Sequence, residues 1–436
     1  MTREADWLSY RQALDAVLAH AHPLSTELLP PVEGLGRALA SPLVSPLTLP
    51  AADNSAMDGY AVRWEEVTPA TPEHPVALKV VGDLRAGDTT QIHHLEPGQA
   101  LRIATGSPVP SGATGVVRVE DTRSEGDGVL ILTAQEKPAN IRPRGEDLQE
   151  GQKVLPAGTE VNPGVVSLAS AMGLERILVH TQPTVAILST GSELVGPESL
   201  DRVRTGSAVL DSNGPGLAAA AHQAGGRVLR RRRVEDSLPH LEEAIRQQKD
   251  ARVLILTGGA SVGPADLVKP ALEALGMKRV FWRIRMRPGS PVYFGTLGDQ
   301  SVFGLPGNPT SAHVTFEMLV RPFLRTVAGH GNPFRLNVRM PAGAPLKGGK
   351  GLDHFIRVVF RSHENSSQAG GGLAAYPAGL QGSGLLLPMA RAQGLAHIPP
   401  NIESVAPGQE VEVFLLDPSG ALAPGGHPLR QGKTPP

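Results

Sequence analysis

Apolar residues follow two different spacings along the chain, and each spacing predicts one kind of element. Near the start, five apolar or aromatic side chains fall on one helical face: Trp7, Tyr10, Leu14, Val17 and Leu18. They predict a helix over residues 6–20, and Pro23 prevents a further turn. The run TVAILST at 184–190 is instead continuously apolar, which is typical of a parallel strand buried on both faces.

The middle of the chain alternates strand and helix patterns. Strands are predicted at 184–190, 227–234 and 252–256. Helices are predicted over 214–224, 238–249, 265–275 and 310–327. Because strands and helices alternate, residues 178–328 are expected to form a three-layer α/β domain.

The flanking segments carry shorter apolar runs between Gly and Pro turns. Residues 51–146 predict a small, mostly β domain, inserted into an N-terminal linker domain of residues 1–50 plus 147–177. The linker domain includes a predicted helix, PGVVSLASAMGL, which stops at Gly173. The runs FRLNVRM, HFIRVVF and EVEVFLL predict a C-terminal β domain at 332–417, and residues 418–436 are predicted to be a disordered tail. The fold class is therefore multidomain, α/β and β.

Composition narrows the functional classes. Of the 436 residues 40% are hydrophobic and 19% charged, and the net charge of −1 gives no argument for nucleic acid as a partner. The chain has no cysteine, which excludes disulfides, thiolate metal sites and cysteine nucleophiles. No apolar stretch approaches 18 residues and the N-terminus is not a secretory signal, so we expect no membrane partner and a cytoplasmic location.

Two glycine-containing loops follow predicted buried strands. Thr190 ends the predicted strand at 184–190 and is followed by Gly191, Ser192 and Glu193. The predicted strand at 252–256 is followed by TGGASVGPAD, which contains Thr257, Gly258, Gly259, Ser261, Gly263 and Asp266. Ligands of open α/β sheets bind outside the carboxyl ends of the strands, where glycines let backbone N–H groups approach an anion. The loops therefore favour a phosphate-bearing ligand, and the alternative is two tight turns that need glycine. Neither GxGxxG nor GxxxxGK[ST] is present.

Carboxylates recur in two other loops. DNSAMDGYAVR places Asp53 and Asp58 on either side of a turn of small residues, and RGED presents Glu146 and Asp147. Carboxylates beside a phosphate ligand would recruit Mg²⁺. The alternatives are a polar turn capped by aspartate and a charged surface loop.

Four consecutive arginines, Arg230 to Arg233, lie in the predicted strand at 227–234. Alternate residues of a strand face opposite ways, so the four cannot form one patch. We interpret them as a solvated edge or as partners of nearby carboxylates. The histidines show no HExxH spacing, and the adjacent pair His93–His94 suits no common metal motif.

Together these segments resemble the molybdopterin molybdenumtransferase family, whose relatives include the catalytic C-terminal part of gephyrin. The likeness covers residues 7 to 416 and rests on SPLTLPAADNSAMDGYAVR, RIATGSPVPSGATGVVRVEDT, NIRPRGED, ILSTGSEL, DSNGP, LTGGASVGPAD, GLPGNPTSA and QGSGLL. Each segment is weak alone, but eight in family order over some 400 residues are very specific. The central domain then resembles the molybdopterin-binding fold.

The resemblance implies a Mg²⁺-dependent transferase. Its substrates would be adenylylated molybdopterin and molybdate, molybdenum would be bonded to the dithiolene sulfurs, and AMP would be released. It also implies a homodimer whose site lies between the α/β domain of one subunit and the small β domain of the other. A molybdopterin adenylyltransferase and molybdoenzyme acceptors would be further partners.

Site residues are carried over position by position. The resemblance assigns catalysis to Asp58, Thr105, Asp147, Glu193, Asp236 and Asp266, and Mg²⁺ binding to Glu193, Asp266 and Asp58. It assigns substrate binding to Thr190, Gly191, Ser192, Asp211, Gly258, Gly259, Ser261, Arg283, Arg287, Pro306, Pro309 and Ser383. Arginines can bind oxyanions through two parallel hydrogen bonds.

Three positions depart from the family pattern. Lysine is usual where this chain has Arg283 and Arg287, and PGKP is usual where it has PGSP, so Ser290 replaces a cation. In the C-terminal domain the family usually has a turn that contains an arginine. The corresponding segment here reads GKGLDHFIR, and Lys350 is the candidate to replace that arginine.

Two other functions stay open at this point. One is molybdopterin adenylyltransferase, whose fold resembles residues 178–328 alone, so the N-terminal 177 residues argue against it. The other is a non-catalytic scaffold like gephyrin, against which the retained Asp58, Glu193 and Asp266 argue.

Overall fold

The computed structural model describes residues 7–87, 94–134, 140–258, 267–362 and 372–416. The chain divides into two compact units. The large unit comprises Met1–Ser41, Ala157–Val166 and Arg176–Pro436, and the small unit comprises Pro42–Pro156 and Ser167–Glu175. None of the described helices is long and apolar enough to cross a membrane.

A six-stranded sheet forms the centre of the large unit. Its strands, in spatial order, are Arg227–Val234, Thr184–Thr190, Val253–Thr257, Gln300–Leu305, Tyr293–Leu297 and Lys278–Trp282. The first four are parallel, so their carboxyl ends share one edge of the sheet. The predicted strands at 184–190, 227–234 and 252–256 are confirmed to within one residue.

Helices cover both faces of this sheet, which confirms the three-layer domain. On one face Ile187, Ile255 and Phe303 pack in a core with helices Tyr10–Leu18 and Asn213–Gln223. The same core includes the helical stretch Pro309–Thr315, Phe316–Val320 and Arg321–Val327, whose middle segment is a π-helix. On the other face Leu188 and Leu256 pack with helices Leu238–Arg246 and Val268–Ala274.

The strands predicted from the sequence did not include the antiparallel part of this sheet. Tyr293–Leu297 pairs antiparallel with both Gln300–Leu305 and Lys278–Trp282, although the pattern predicted only strands alternating with helices. The reason is local: Gly298 has φ +59 and closes the tight turn that reverses the chain.

A second large sheet contains the C-terminal strands. It runs Leu8–Ser9, Ile284–Arg287, Asp353–Ser362, Gly394–Ile398, Glu410–Leu415 and Asn337–Pro341, with Leu373–Pro377 paired to Asp353–Ser362. The predicted C-terminal β domain is confirmed by the strands between Asn337 and Leu415. Its sheet also takes in Leu8–Ser9 and Ile284–Arg287, which the sequence had placed in other domains.

Shorter elements complete the large unit. They are the strands Thr26–Leu29, Ile177–His180, Leu194–Val195, Val209–Leu210, Leu346–Lys347 and Ser404–Val405, the helices Leu200–Arg204 and Leu386–Arg391, and the 3₁₀ turn Pro197–Ser199. Helix Pro163–Ala171 is confirmed, and Gly173 follows it at φ +71.

The small unit is mostly β, as predicted. Its main sheet runs Gly115–Arg118, Gly59–Val62, Gln99–Ile103, Val76–Leu84, Gly128–Ile131 and Thr122–Glu125. Two strand pairs, Asn54–Ser55 with Ile141–Arg142 and Leu43–Val44 with Lys153–Leu155, flank it. A helix, Trp64–Val67, and a 3₁₀ turn, Val119–Asp121, complete the unit.

The arginine run lies in the edge strand Arg227–Val234, and the predicted alternation is confirmed. Arg230 pairs with Asp250 at 2.6 Å and Arg232 donates to Gln247 Oε1 at 2.8 Å. On the other side Arg231 lies near Asp211, and Arg233 pairs with Glu198 at 3.1 Å.

His330 gives the large unit a dependence on pH. It is 6% exposed, and burial lowers the pKa of its imidazole from 6.5 to about 4. The cations Arg325 and Arg321 and the nearby His180 act in the same direction, while Glu160 opposes them. The folded pKa lies below the unfolded one, so the neutral ring favours folding above pH 6.5, and this contribution is lost as the pH falls toward 4.

We therefore expect the free energy of unfolding to fall between pH 6.5 and about 4, with a contribution from this group of at most ~1.4 kcal/mol per pH unit. Urea unfolding at several pH values measures it, and His330→Gln should flatten the slope. The matched control is His240→Gln, because His240 is exposed. Equal slopes in His330→Gln and the wild type would contradict the assignment.

Candidate active site

A cavity of about 540 Å³ opens at the carboxyl ends of the parallel strands. We call it the first cavity. Its walls include nine of the residues that the family resemblance assigned to the site: Thr190, Gly191, Glu193, Asp211, Asp236, Gly258, Arg283, Pro306 and Pro309. The expected crevice at the ends of Thr184–Thr190 and Val253–Thr257 is therefore present, and both loops contribute to it.

Two hydrogen bonds between Ser192 and Asp236 join two loops at the rim of the first cavity. The backbone N–H of Ser192 donates to Asp236 Oδ2, and the backbone N–H of Asp236 donates to Ser192 Oγ, both at 3.3 Å. Glu193 folds over Gly191, where a Cβ atom would lie 2.6 Å from Glu193 Oε1. Glu193 and Asp236 are both exposed, so their carboxylates are open to a ligand.

The floor of the first cavity contains buried polar atoms. Asp211 Oδ1 accepts from the Gly214 N–H at 2.8 Å, at the start of helix Asn213–Gln223. Asn213 Nδ2 donates to Thr257 Oγ1 at 2.9 Å and to the Gly307 carbonyl at 2.8 Å. Within the described residues, Asp211 Oδ2, Asn213 Oδ1 and Ser189 Oγ have no hydrogen-bond partner. Buried unpaired polar atoms are costly, and a bound polar ligand would satisfy them.

Gly258 brings the two loops together. Its φ is +94, and a Cβ atom there would clash with the Thr190 carbonyl oxygen. A Cβ on Gly307 would in turn lie 3.5 Å from the Gly258 Cα. Only glycine at position 258 permits this close approach to Thr190, whereas a Cβ at position 307 would make an ordinary van der Waals contact.

Arg283 is held in an unusual conformation at the cavity wall. Its φ is +77, a strained value for a residue that is not glycine. Its backbone N–H donates to the Val292 carbonyl at 2.8 Å, and its guanidinium lies 5.0 Å from the centre of the Trp7 ring. Its Nε is buried and has no partner among the described residues.

A second cavity, of about 1000 Å³, lies in the large unit against the C-terminal strands. Pro291, Pro306 and Asn308 line both cavities. Arg287, Ser290 and Ser383 line the second cavity only, so the structure separates Arg287 from Arg283. Lys347 also lines it, whereas Lys350, the expected arginine substitute, does not.

Sequence reasoning missed Arg357, which lines the second cavity. It is 1% exposed and is among the largest fully buried side chains. Its guanidinium donates to the carbonyls of Leu380 and Gly382 at 3.1 and 3.2 Å. Its backbone N–H donates to Gln381 Oε1 at 3.0 Å, so Arg357 holds the loop that carries Ser383. The available signal was an arginine within the apolar strand HFIRVVF.

The other end of the same loop is held by the α/β domain. Asn308 Nδ2 donates to Ser383 Oγ at 3.2 Å, and the Thr310 N–H donates to the Ser383 carbonyl at 3.0 Å. His354 lies beside the cavity with Nε2 buried and unpaired within the described residues. Burial, and then the Arg287 cation, lower the pKa of His354, so the ring is neutral near pH 7.

In the small unit, two of the predicted residues meet. Asp58 Oδ1 accepts from the Thr105 backbone N–H at 2.7 Å and from the Thr105 hydroxyl at 2.8 Å. These two hydrogen bonds lower the pKa of Asp58, so it is a carboxylate at neutral pH. Asp147 is exposed, and its backbone N–H donates to the Leu49 carbonyl at 3.1 Å.

Some expectations fall outside the described residues. Gly259, Ser261, Gly263 and Asp266 of the second glycine loop and His93 belong to this group, as do residues 418–436. Within the described ranges, no group of three histidine or carboxylate side chains could hold a metal ion by itself.

Three family descriptions match consecutive parts of the chain. They are the MoeA N-terminal region (domain I and II) at residues 8–173, the probable molybdopterin binding domain at 186–326 and the MoeA C-terminal region (domain IV) at 339–416.

Named relatives match over nearly the whole chain. Molybdopterin molybdenumtransferase 2 of Mycobacterium tuberculosis is 36% identical over 394 residues, which cover 89% of this chain and 94% of the relative. Molybdopterin molybdenumtransferase of Nostoc sp. is 35% identical over 393 residues, which cover 87% and 86%.

A solved structure agrees in fold. The molybdopterin biosynthesis moeA protein from Pyrococcus horikoshii OT3 superposes with a TM-score of 0.79 at 26% identity, covering 94% of this chain and 100% of that one. The domain order, the sequence identity and the fold lead to the same assignment, and the chain belongs to the molybdopterin molybdenumtransferase family.

Proposed function

We propose that this protein inserts molybdenum from molybdate into adenylylated molybdopterin and releases AMP. The observation that carries the proposal is the first cavity, where carboxylates, unpaired buried polar atoms and a strained arginine meet at the carboxyl ends of parallel strands. The names of the relatives support the same activity. In the reaction water cleaves the phosphoanhydride of the adenylate and AMP leaves. As molybdenum becomes bonded to the two dithiolene sulfurs, one oxygen of molybdate leaves as water with the two thiol protons.

The first cavity suits the pterin end of this substrate. A pterin ring offers N–H donors along one edge, and Asp211 Oδ2 and Asn213 Oδ1 are unpaired acceptors in the cavity floor. Hydrogen bonds from the pterin to these atoms would offset the cost of leaving them buried. Thr190, Gly191 and Gly258 form the wall beside them.

The donor set also suits Mg²⁺. Glu193 and Asp236 offer carboxylate oxygens at the rim, and Mg²⁺ in phosphate sites commonly takes only one or two protein carboxylates, with waters and substrate phosphates as its other ligands. Glu193 would hold the ion, with Asp236, Asp266 and Asp58 as the other candidates. When bound, Mg²⁺ offsets the negative charge that develops as the anhydride breaks.

The second cavity suits molybdate. Molybdate is a tetrahedral dianion, and Arg287, Lys347 and Arg357 place cationic side chains around the Ser383 loop. The neutral His354 adds an unpaired ring nitrogen at the same wall. Ser290, where lysine is usual, donates its hydroxyl to the Ile284 carbonyl at 2.9 Å and so takes a structural role.

Glu193→Gln and Asp236→Asn should each reduce AMP release from adenylylated molybdopterin roughly 10²–10³-fold, because an amide cannot balance the charge of the cation. Both side chains are exposed, so the melting temperature should hardly change. Purified enzyme incubated with the substrate, Mg²⁺ and molybdate gives the rate.

Asp299→Asn is the matched control for this experiment. Asp299 is an exposed carboxylate at the start of strand Gln300–Leu305, the opposite end of the sheet from the first cavity. A wild-type rate in the Glu193→Gln variant would show that Glu193 takes no part in the reaction. Absence of AMP release by the wild-type protein would favour the non-catalytic scaffold instead.

We further propose a homodimer in which Asp58 from one subunit acts with Glu193 from the other. The family resemblance supports it, because it assigns residues of the small β domain and of the α/β domain to one site that two subunits share. Mixing inactive Asp58→Asn and Glu193→Gln subunits would then restore about a quarter of the wild-type rate, because half of the dimers are mixed and each has one intact site.

The mixture must be unfolded and refolded together so that subunits exchange, and each variant refolded alone is the control. Activity no higher than that of the separate variants would place both residues in one subunit or remove one of them from the reaction. A monomer with full activity would contradict the dimer itself.

Arg357→Lys should raise the KM for molybdate roughly 10-fold and leave kcat less affected, because the shorter lysine side chain does not place a donor where Nη2 of Arg357 binds the Leu380 and Gly382 carbonyls of the Ser383 loop. Steady-state rates at varied molybdate measure both constants. Arg361→Lys, on the exposed end of the same strand, is the control. A lower melting temperature with an unchanged KM would give Arg357 a structural role only.

A further inference from the structure

A third cavity, of about 520 Å³, adjoins the first one, and four arginines line it: Arg202, Arg231, Arg232 and Arg233. We call it the arginine cavity. It shares Gly191, Leu194 and Asp211 with the first cavity, so one ligand can extend from one into the other. None of the four arginines belongs to the site as the sequence predicted it.

The two adjoining cavities have opposite charge. Among the described residues, the first is lined by the carboxylates Glu193, Asp211 and Asp236 and by one cation, Arg283. The arginine cavity holds four cations against Asp211 and Glu235. A ligand that spans both should therefore place donors or a metal ion in the first cavity and anionic groups in the arginine cavity.

The arginines that face the cavity have unused donors. A guanidinium carries five N–H donors. Arg231 Nη1 lies 3.9 Å from Asp211 Oδ2, which is too long for a hydrogen bond, and Arg233 donates to Glu198 at 3.1 Å. In the described part of the chain, the guanidinium of Arg202 has neither an ion pair nor a hydrogen bond. These donors are free for an oxyanion.

A simpler explanation is that charged side chains protect an edge strand from pairing with another chain. That explanation suits Arg230, which lies outside the cavity and pairs with Asp250. It also suits Arg232, which lines the cavity but donates from its guanidinium to Gln247. It does not account for a concave surface on the other side of the strand. There the stem of Arg231 packs near Gly214, at the start of the helix behind the cavity.

We propose that the arginine cavity binds the phosphate groups of the adenylylated substrate while the pterin occupies the first cavity. This proposal rests on the proposed function. Arg231, Arg233 and Arg202 bind the phosphate oxygens by charge-assisted hydrogen bonds. After the anhydride breaks, AMP keeps one of these phosphates, so AMP binds in the same place as a product.

The experiment is AMP binding to the full chain by calorimetry, with adenosine as the probe that lacks a phosphate. The wild type should bind AMP at least 10-fold more tightly than adenosine. Arg231→Gln and Arg233→Gln should each weaken AMP binding roughly 10-fold, since each removes a charge-assisted contact, and should leave adenosine binding unchanged. Arg231→Lys, which keeps the charge, should have a smaller effect.

Arg230→Gln is the matched control, because it removes an arginine of the same strand that lies outside the cavity. Its AMP affinity should equal that of the wild type. The proposal would be overturned if Arg230→Gln and Arg231→Gln weakened AMP binding equally. Equal affinities of the wild type for AMP and adenosine would also overturn it. Melting temperatures identify any variant that has lost its fold.

The outcome can be separated from that of the proposed function. If the wild type releases AMP from the substrate but the Arg231 and Arg233 variants bind AMP normally, the phosphate subsite is wrong and the activity stands. If the Arg231 and Arg233 variants bind AMP more weakly but the wild type cannot transfer molybdenum, the phosphate subsite is supported and the proposed activity is wrong.

Discussion

The close approach of three backbone segments at Gly258 is the constraint on which the site depends. Thr190 ends one parallel strand, and Gly258 and Gly307 follow the next two strands of the sheet. A side chain at Gly258 would clash with the Thr190 carbonyl oxygen. With that position free of a side chain, Asn213 reaches across to both Thr257 and Gly307. The same approach places the ends of the strands, and hence Glu193, Asp236 and Asp211, around one cavity.

Local pattern was enough to predict the part of the fold that carries this cavity. TVAILST and RVLIL are mainly apolar because their strands are buried between two helical layers, and the structure confirms both strands. The Gly-rich loops were also visible, since ligands of such sheets bind where parallel strands end. The neighbours of a strand in its sheet were harder to predict. Ile284–Arg287 pairs with Asp353–His354, nearly 70 residues later, and the spacing of apolar residues does not indicate so distant a partner.

Some site residues could likewise be predicted from the local pattern, and others could not. Glu193 and Gly258 could be found from strand ends alone, whereas Asp236, Asp211 and Thr105 came only from family resemblance. Asp58 and Thr105 are 47 residues apart, and the two hydrogen bonds that join them depend on the antiparallel pairing of Gly59 with Ile103. Arg357 was missed because a buried arginine in an apolar strand makes sense only when the Leu380 and Gly382 carbonyls are known to lie beside it.

The strand Leu8–Ser9 has a consequence for the order in which the protein can fold during synthesis. It pairs with Ile284–Arg287, which in turn pairs with Asp353–Ser362. A ribosome therefore makes the edge strand first and its partners some 275 and 345 residues later, so an early part of the large unit waits for a late one. Until Asp353–Ser362 is made, Ile284–Arg287 can pair only with Leu8–Ser9, and its other edge has no partner. The backbone that carries Arg283 and Arg287, which line the first and second cavities, is therefore held on both sides only late in synthesis.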